Sequence, residues 1–151
     1  MLVGEEGNGW AVLRLALDIE RSGFQFLGMT ERVLEETMTA LREGGRISDS
    51  TRHLLADIKS SIAMTDLLCA RVIWLQGQGR PCRAEASSAK ATSTELLQRA
   101  SHAALRALGL RAASSPFFSN ALLYSTVTTV FGGTSEIQRN IIAQTLGLSA
   151  K

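Results

Sequence analysis

Two short runs hold the residue types from which chemistry could be built. One is FGGTSEIQRN, Phe131 to Asn140, where paired glycines meet a threonine and a serine ahead of a helical pattern. Glycine permits backbone geometry and close approach that a side chain forbids, and a Thr or Ser at that point accepts from the first free amides of a helix. Gln138 stands three residues after Ser135, the spacing of a capping box. The run reads either as a turn with a well-made helix start or as a place where amides and hydroxyls face a cofactor's polar atoms. It is not a P-loop, because the lysine and the glycine spacing are missing.

The other is Glu20 in LALDIERSGF, flanked by Ile19 and the Gly23-Phe24 pair. Burial there would make the carboxyl harder to ionise and suit it to accept a proton. The alternative is a solvated face shared with Asp18 and Arg21. No comparable chemistry gathers elsewhere. His53 and His102 are single histidines in helical runs without a metal-ligand pattern, and Asp57, Lys59 and Asp66 lack a nearby nucleophile. Cys69 and Cys82 lie thirteen positions apart with no neighbouring His, which argues against a zinc site or a disulfide framework and for reduced thiols, Cys69 being buried.

These runs must be positioned by helices. From Gly9 to about Glu43, Trp10, Leu13, Leu17, Phe24, Leu27, Leu34, Met38 and Leu41 recur mostly at three- and four-residue steps, which predicts one long amphipathic helix closed by Gly44-Gly45. A second helix starts after Ser48-Asp49-Ser50, carries Leu54, Leu55, Ile58, Ile62, Leu68, Val72 and Leu75, and stops at Gly77-Gln78-Gly79-Arg80-Pro81. A third, about Ala84 to Leu108, is rich in Ala and Ser with Leu96, Leu97 and Leu105 as larger anchors, so that neighbours can approach closely. Leu110 to Pro116 reads as a loop, followed by helices near Phe117 to Val130 and Ser135 to Leu146. Helices of roughly 40 to 50 Å need neighbours along their length. With no period-two strands, the expected fold is all-α, an antiparallel bundle of long helices, with residues 1–8 as a linker and 9–151 as the domain. Ile19, Phe26, Val33, Ile73 and Trp74 fall off the main stripe and suggest a surrounded helix or a second buried face in an oligomer.

Composition bounds the function. The chain has 151 residues, with 45% hydrophobic and 20% charged, which describes a globular domain and not a disordered tail. A net charge of +2 without a Lys/Arg cluster or aromatic ladder argues against nucleic acid as the partner. No stretch approaches the roughly 20 apolar residues of a membrane span. The opening MLVGEEGNGW has no signal-peptide pattern, so a cytoplasmic location is expected.

The final run, GGTSEIQRNIIAQTLGL, closely resembles the C-terminal signature of acyl-CoA dehydrogenases. VGEEGNGW is similar to the linker entering that family's C-terminal helical domain, LALDIERSGF to its first helix, and GRPCRAEASSAKATSTELLQRASHAALRALG to its central helical pair. The resemblance covers essentially the whole chain, while the family's N-terminal helical and middle β domains have no counterpart in it. It implies FAD held between the middle and C-terminal domains, and a glutamate that removes the α-proton of an acyl-CoA thioester while the β-hydrogen leaves as hydride to the flavin. Most members carry that glutamate immediately before the Gly-Thr of the signature, where this chain has Gly132. The isovaleryl and long-chain branch carries it on the first helix instead, and Glu20 matches that position, with Arg21 as its electrostatic partner. Gly133, Thr134, Glu136 and Gln138 match the part that approaches FAD. STRHLLADIKSS lacks a clear arginine and glutamine arrangement, and ALRALGLRAASS lacks the Gln and paired glycines, that other members direct at the cofactor. The implied partners are an acyl-CoA substrate, the missing domains or a companion subunit in a homo- or hetero-oligomer, and an electron-accepting flavoprotein. The alternative role is a noncatalytic structural subunit or helical interaction module of a mixed dehydrogenase complex.

Overall fold

The computed structural model describes residues 3–20, 23–44 and 47–148, with the side chains of 14, 15 and 17–20 outside that description. The described residues form seven helices and no strand: α1 (Gly9–Glu20), α2 (Phe24–Gly44), α3 (Asp49–Gly77), α4 (Arg83–Leu108), α5 (Leu110–Ala113), α6 (Pro116–Thr128) and α7 (Ser135–Thr145). Short connections join α2 to α3 and α3 to α4, and each pair packs together, so these three long helices run antiparallel in turn. The all-α bundle expected from the periodicity is the observed architecture.

Local signals account for most boundaries. Ser48 caps α3, its hydroxyl accepting from the Thr51 amide at 3.2 Å. Pro116 opens α6 from the first turn, where its missing N–H is no loss. Two boundaries differ from expectation. The first helix is not continuous from Gly9 to Glu43: α1 ends at Glu20, and α2 begins after Gly23, whose φ is +80°. The region expected as a loop from Leu110 contains one helical turn, α5, whose Ala112 is buried.

Beyond the break the expected stripe stays inside, with Leu27 and Leu34 buried and Phe24, Met38 and Leu41 packed against the core. The buried residues of α2 are Phe26, Leu27, Thr30, Val33, Leu34 and Thr37, one stripe at helical spacing. Phe26 and Val33 belong to the core of this chain, which fits the surrounded helix, the first of the two alternatives their spacing raised. Trp10 and Leu13, expected on the inner stripe, are instead 77% and 46% exposed. Ile73 and Trp74 are half-exposed on α3, with the Arg71 and Arg80 guanidiniums 5.0 and 5.6 Å from the Trp74 ring.

The centre of the molecule is α4, which packs against all six other helices. Ala86, Ala89, Ala100, Ala103 and Ala104 are buried along it and keep the helix axis close to its neighbours. Two of its buried hydroxyls bond to the helix's own backbone, Thr94 Oγ1 donating to Lys90 O at 2.9 Å and Ser101 Oγ to Leu97 O at 2.9 Å, which satisfies them without a partner helix, whereas Ser87 Oγ is buried with no partner among the described residues. Larger apolar side chains come from the surrounding helices, Phe26, Leu34, Ile58, Ile62 and Phe118 among them.

A second buried cluster joins Cys69, Val72 and Leu75 of α3 to Cys82, Ala86 and Ala89. Both cysteines are buried, and neither is in a disulfide. Burial, and secondarily the Asp66 carboxylate, pushes the Cys69 thiol from 9.0 up to about 11. The fold prefers the neutral thiol, whereas the unfolded chain ionises first. The stability this contributes is complete below pH 9.0 and lost as pH rises through about 11. Thermal melts across this range are expected to show an alkaline decline in the native sequence that Cys69→Ala lacks. Parallel curves for the two proteins would contradict it.

Candidate functional site

The site is built on the connection between α6 and α7. After α6 the amides of Val130 and Phe131 both reach back to Val127 O, and the chain then turns through Gly132 and Gly133 at φ +67° and +93°. Thr134 follows as the N-cap of α7, its hydroxyl accepting from the Ile137 amide at 3.3 Å. The expected capping box of Ser135 with Gln138 does not form, because the cap falls one residue earlier. The amides of Ser135 and Gln138 donate to Thr129 O and Thr134 O. The Glu136 carboxyl is held below its usual range by its own backbone amide and then by the Thr134 hydroxyl. The amides of Ser135, Ile137 and Gln138 are thus engaged within the turn. Hydroxyl and carboxylate side chains, not free amides, are what this helix start presents.

Two buried side chains hold the turn from behind. Lys90 of α4, 3% exposed, donates from Nζ to Gly133 O at 2.7 Å and to Thr128 O at 3.1 Å. Gln138, fully buried, donates from Nε2 to Gly132 O and Gly133 O, both at 3.2 Å. On the apolar side, the Phe131 ring lies 5.9 Å from that of Phe26 and 6.2 Å from that of Tyr124. A Cβ on Gly133 would fall 2.6 Å from Gln138 Nε2, whereas one on Gly132 would meet only Lys90 Cε at 4.0 Å. Space therefore stands open beside Gly132.

The α1–α2 break meets the same turn of α4. A Cβ on Gly23 would lie 2.8 Å from Ser93 Oγ, 3.0 Å from the Ala89 carbonyl oxygen and 3.1 Å from Cys69 Sγ. Ala89 thus faces the break, while its neighbour Lys90 reaches the glycine turn. The first turn of α2 closes the link through Phe26 and Phe131. Glu20 is the last residue of α1, with its side chain outside the described part, and Arg21 lies outside the described residues altogether.

Beside the turn, α4 and α7 enclose an open groove of about 450 Å³ with Gln98, Arg99, Thr134, Ser135, Glu136 and Arg139 in its walls. Arg139 donates to Glu95 at 2.7 Å and ties α7 to α4 at the edge. Ser135 Oγ is buried there with no hydrogen-bond partner among the described residues. The walls thus carry two guanidiniums, the carboxylates of Glu95 and Glu136, a threonine hydroxyl and an orphaned serine hydroxyl, a mixed set of donors and acceptors able to meet a polar ligand.

Gly133, Thr134, Glu136 and Gln138, the positions expected from the sequence, lie together at this turn and helix start, and the structure adds Lys90, Gly23 and Phe131, which were not expected there. The signal for Lys90 was one cation inside SSAKATS, four residues after Ala86 and four before Thr94, hence on the buried face of α4. His53 and His102 are exposed. Among the described residues no group of three His, Cys, Asp or Glu could hold a metal, and no helix is long and apolar enough to cross a membrane.

Residues 7–147 match the family of the acyl-CoA dehydrogenase C-terminal domain, and the chain belongs to the acyl-CoA dehydrogenase family. It is 34% identical to the L-prolyl-[peptidyl-carrier protein] dehydrogenase of Pseudomonas fluorescens over 97% of this chain and 41% of that protein. It is 28% identical to the mouse (Mus musculus) mitochondrial short-chain specific acyl-CoA dehydrogenase over 94% of this chain and 37% of that protein. The structure of PigA with FAD and proline superposes with a TM-score of 0.90 at 25% identity, covering 97% of this chain and 40% of that one. The chain thus spans about two fifths of the length of these relatives.

Proposed function

We propose that this chain supplies the C-terminal helical part of an FAD-dependent dehydrogenase that introduces an α,β double bond into an acyl-CoA thioester, with Glu20 as the base. What carries the proposal is the convergence on one turn of α4: Ala89 receives the break that follows Glu20, and Lys90 holds the glycine turn. Glu20 would take the α-proton, with Arg21 favouring its charged form. Gly132 contributes room where a side chain would otherwise stand. The groove walls fit the cofactor's polar part. Gly133, Thr134 and Glu136 would meet FAD at the turn and helix start, and Gln138 would support that contact from behind. Bound FAD would supply the acceptor for the β-hydride. The missing domains, on the same chain or on a companion subunit, would complete the pocket within an oligomer, and a second flavoprotein would take the electrons onward.

A second substrate class is favoured by one observation. The relative at 34% identity is named for an L-prolyl group on a peptidyl-carrier protein, and the same base would serve an acyl group so carried. Purification of the native protein with everything joined to it, followed by mass determination, a flavin absorption spectrum and turnover of acyl-CoA against prolyl-carrier substrates, tests both. The expected result is a species larger than 16.3 kDa that carries flavin and oxidises one of the two classes. A native protein without flavin would overturn the proposal.

A further inference from the structure

We infer that Lys90 is a positioning residue for the proposed dehydrogenation, its ammonium fixing the glycine turn and with it the places of Thr134 and of the open space beside Gly132. The inference rests on the proposed function. A lysine is seldom this buried without a purpose, because its charge must be paid for with good hydrogen bonds. Here those bonds go to the last residue of α6 and to the second glycine of the turn, so one side chain spans the connection from Thr128 to Gly133. A cation at the end of α6 also meets the negative end of that helix. Gly133 O accepts from both Lys90 Nζ at 2.7 Å and Gln138 Nε2 at 3.2 Å. Rotation of the peptide after Gly133 would break both bonds at once inside the protein, one of them charge-assisted.

The glycines at Gly132 and Gly133 would by themselves leave this segment the most adaptable part of the domain. Lys90 converts it into a fixed edge. Because Lys90 follows Ala89, which packs on Gly23, the same turn of α4 also sets how far that edge stands from the end of α1.

Two variants and two readouts test this. Lys90→Gln keeps a neutral donor, whereas Lys90→Met keeps only the stem. In the full chain, amide hydrogen exchange at residues 132–137 is expected to rise about tenfold or more in Lys90→Met, and less in Lys90→Gln, while the amides of α3 stay unchanged. In the flavin-bearing native assembly, the flavin dissociation constant is expected to rise in the same order. Local loosening separates positioning from a general stability role, which would raise exchange throughout the helices. If Lys90→Met does not fold, the Lys90→Gln comparison decides alone. Unchanged exchange at the turn and unchanged flavin retention would overturn the inference while leaving the proposed function standing. A wild-type assembly that holds no flavin would overturn the proposed function, and the inference with it.

Discussion

Glu20→Gln in the flavin-bearing assembly is expected to lower turnover by about a thousandfold, with flavin occupancy and melting temperature little changed. The amide keeps the shape and hydrogen-bonding reach of the carboxylate, but it cannot take the α-proton at neutral pH. The turn offers no substitute, since Gly132 has no side chain and Gly133 admits none without displacing Gln138. Glu136 is engaged at the start of α7, its carboxyl held in the ionised form by the amide and hydroxyl beside it, and a base so favoured as an anion is a weak proton acceptor. The Michaelis constant should move far less than the turnover number, because the substitution removes a group needed for proton transfer and little that holds the substrate. Turnover equal to wild type would take Glu20 out of the reaction and favour a structural subunit whose partner brings its own base.

Gly23→Ala should markedly lower stability. Its φ of +80° costs a non-glycine residue about 1–3 kcal/mol. The added carbon would also press on Ser93 Oγ, the Ala89 carbonyl oxygen and Cys69 Sγ at 2.8, 3.0 and 3.1 Å. Two of those neighbours belong to the backbone or a short side chain of α4, and overpacking of this kind costs about 1–3 kcal/mol. A loss of roughly 3 kcal/mol would lower the melting temperature by roughly 6–12 °C in a domain of this size. Gly28→Ala is the matched control: that glycine is helical with nothing within 4 Å, so the same methyl should be neutral or slightly stabilising. Equal melting temperatures for the two variants would refute the close packing at the break. In the assembled protein Gly23→Ala should also reduce turnover, because displacing the break moves the end of α1 where Glu20 sits.

How much of this was legible beforehand depended on whether the signal was local. The starts of α3 and α6 could be read from Ser48 and Pro116, because capping and proline chemistry act within a few residues. The break before α2 could not be read from apolar spacing. Phe24 and Leu27 continue the three- and four-residue rhythm across it, and only the close approach of α4 requires a glycine with positive φ at residue 23. Leu27 and Leu34 are buried as the spacing predicts, and Phe26 and Val33 beside them are buried within this chain, because α2 is covered over a wider face than the expected stripe. At the site, the glycines and Thr134 were visible as a motif, while the exact cap, Thr134 in place of Ser135, was fixed by where α6 ends. Lys90 acts over more than 35 positions in sequence, from α4 to the turn. No local rule connects it to Gly133. The α1 stripe of Trp10 and Leu13 was expected to face the bundle, but the described helices do not cover it.

The small residues of α4 also govern where this fold can vary. Ala86, Ala89, Ala104, Ser87 and Ser93 have no exposed surface, and the helix they line touches every other one. A larger side chain at any of them would push on several helices together, so the tolerated substitutions there are few and nearly volume-neutral. Divergence is therefore channelled into the outer helices. Changes at Tyr124 and Phe131, both partly exposed beside the turn, can reshape the surroundings of Gly132 without disturbing the spine. One rigid helix thereby lets the rest of the domain explore.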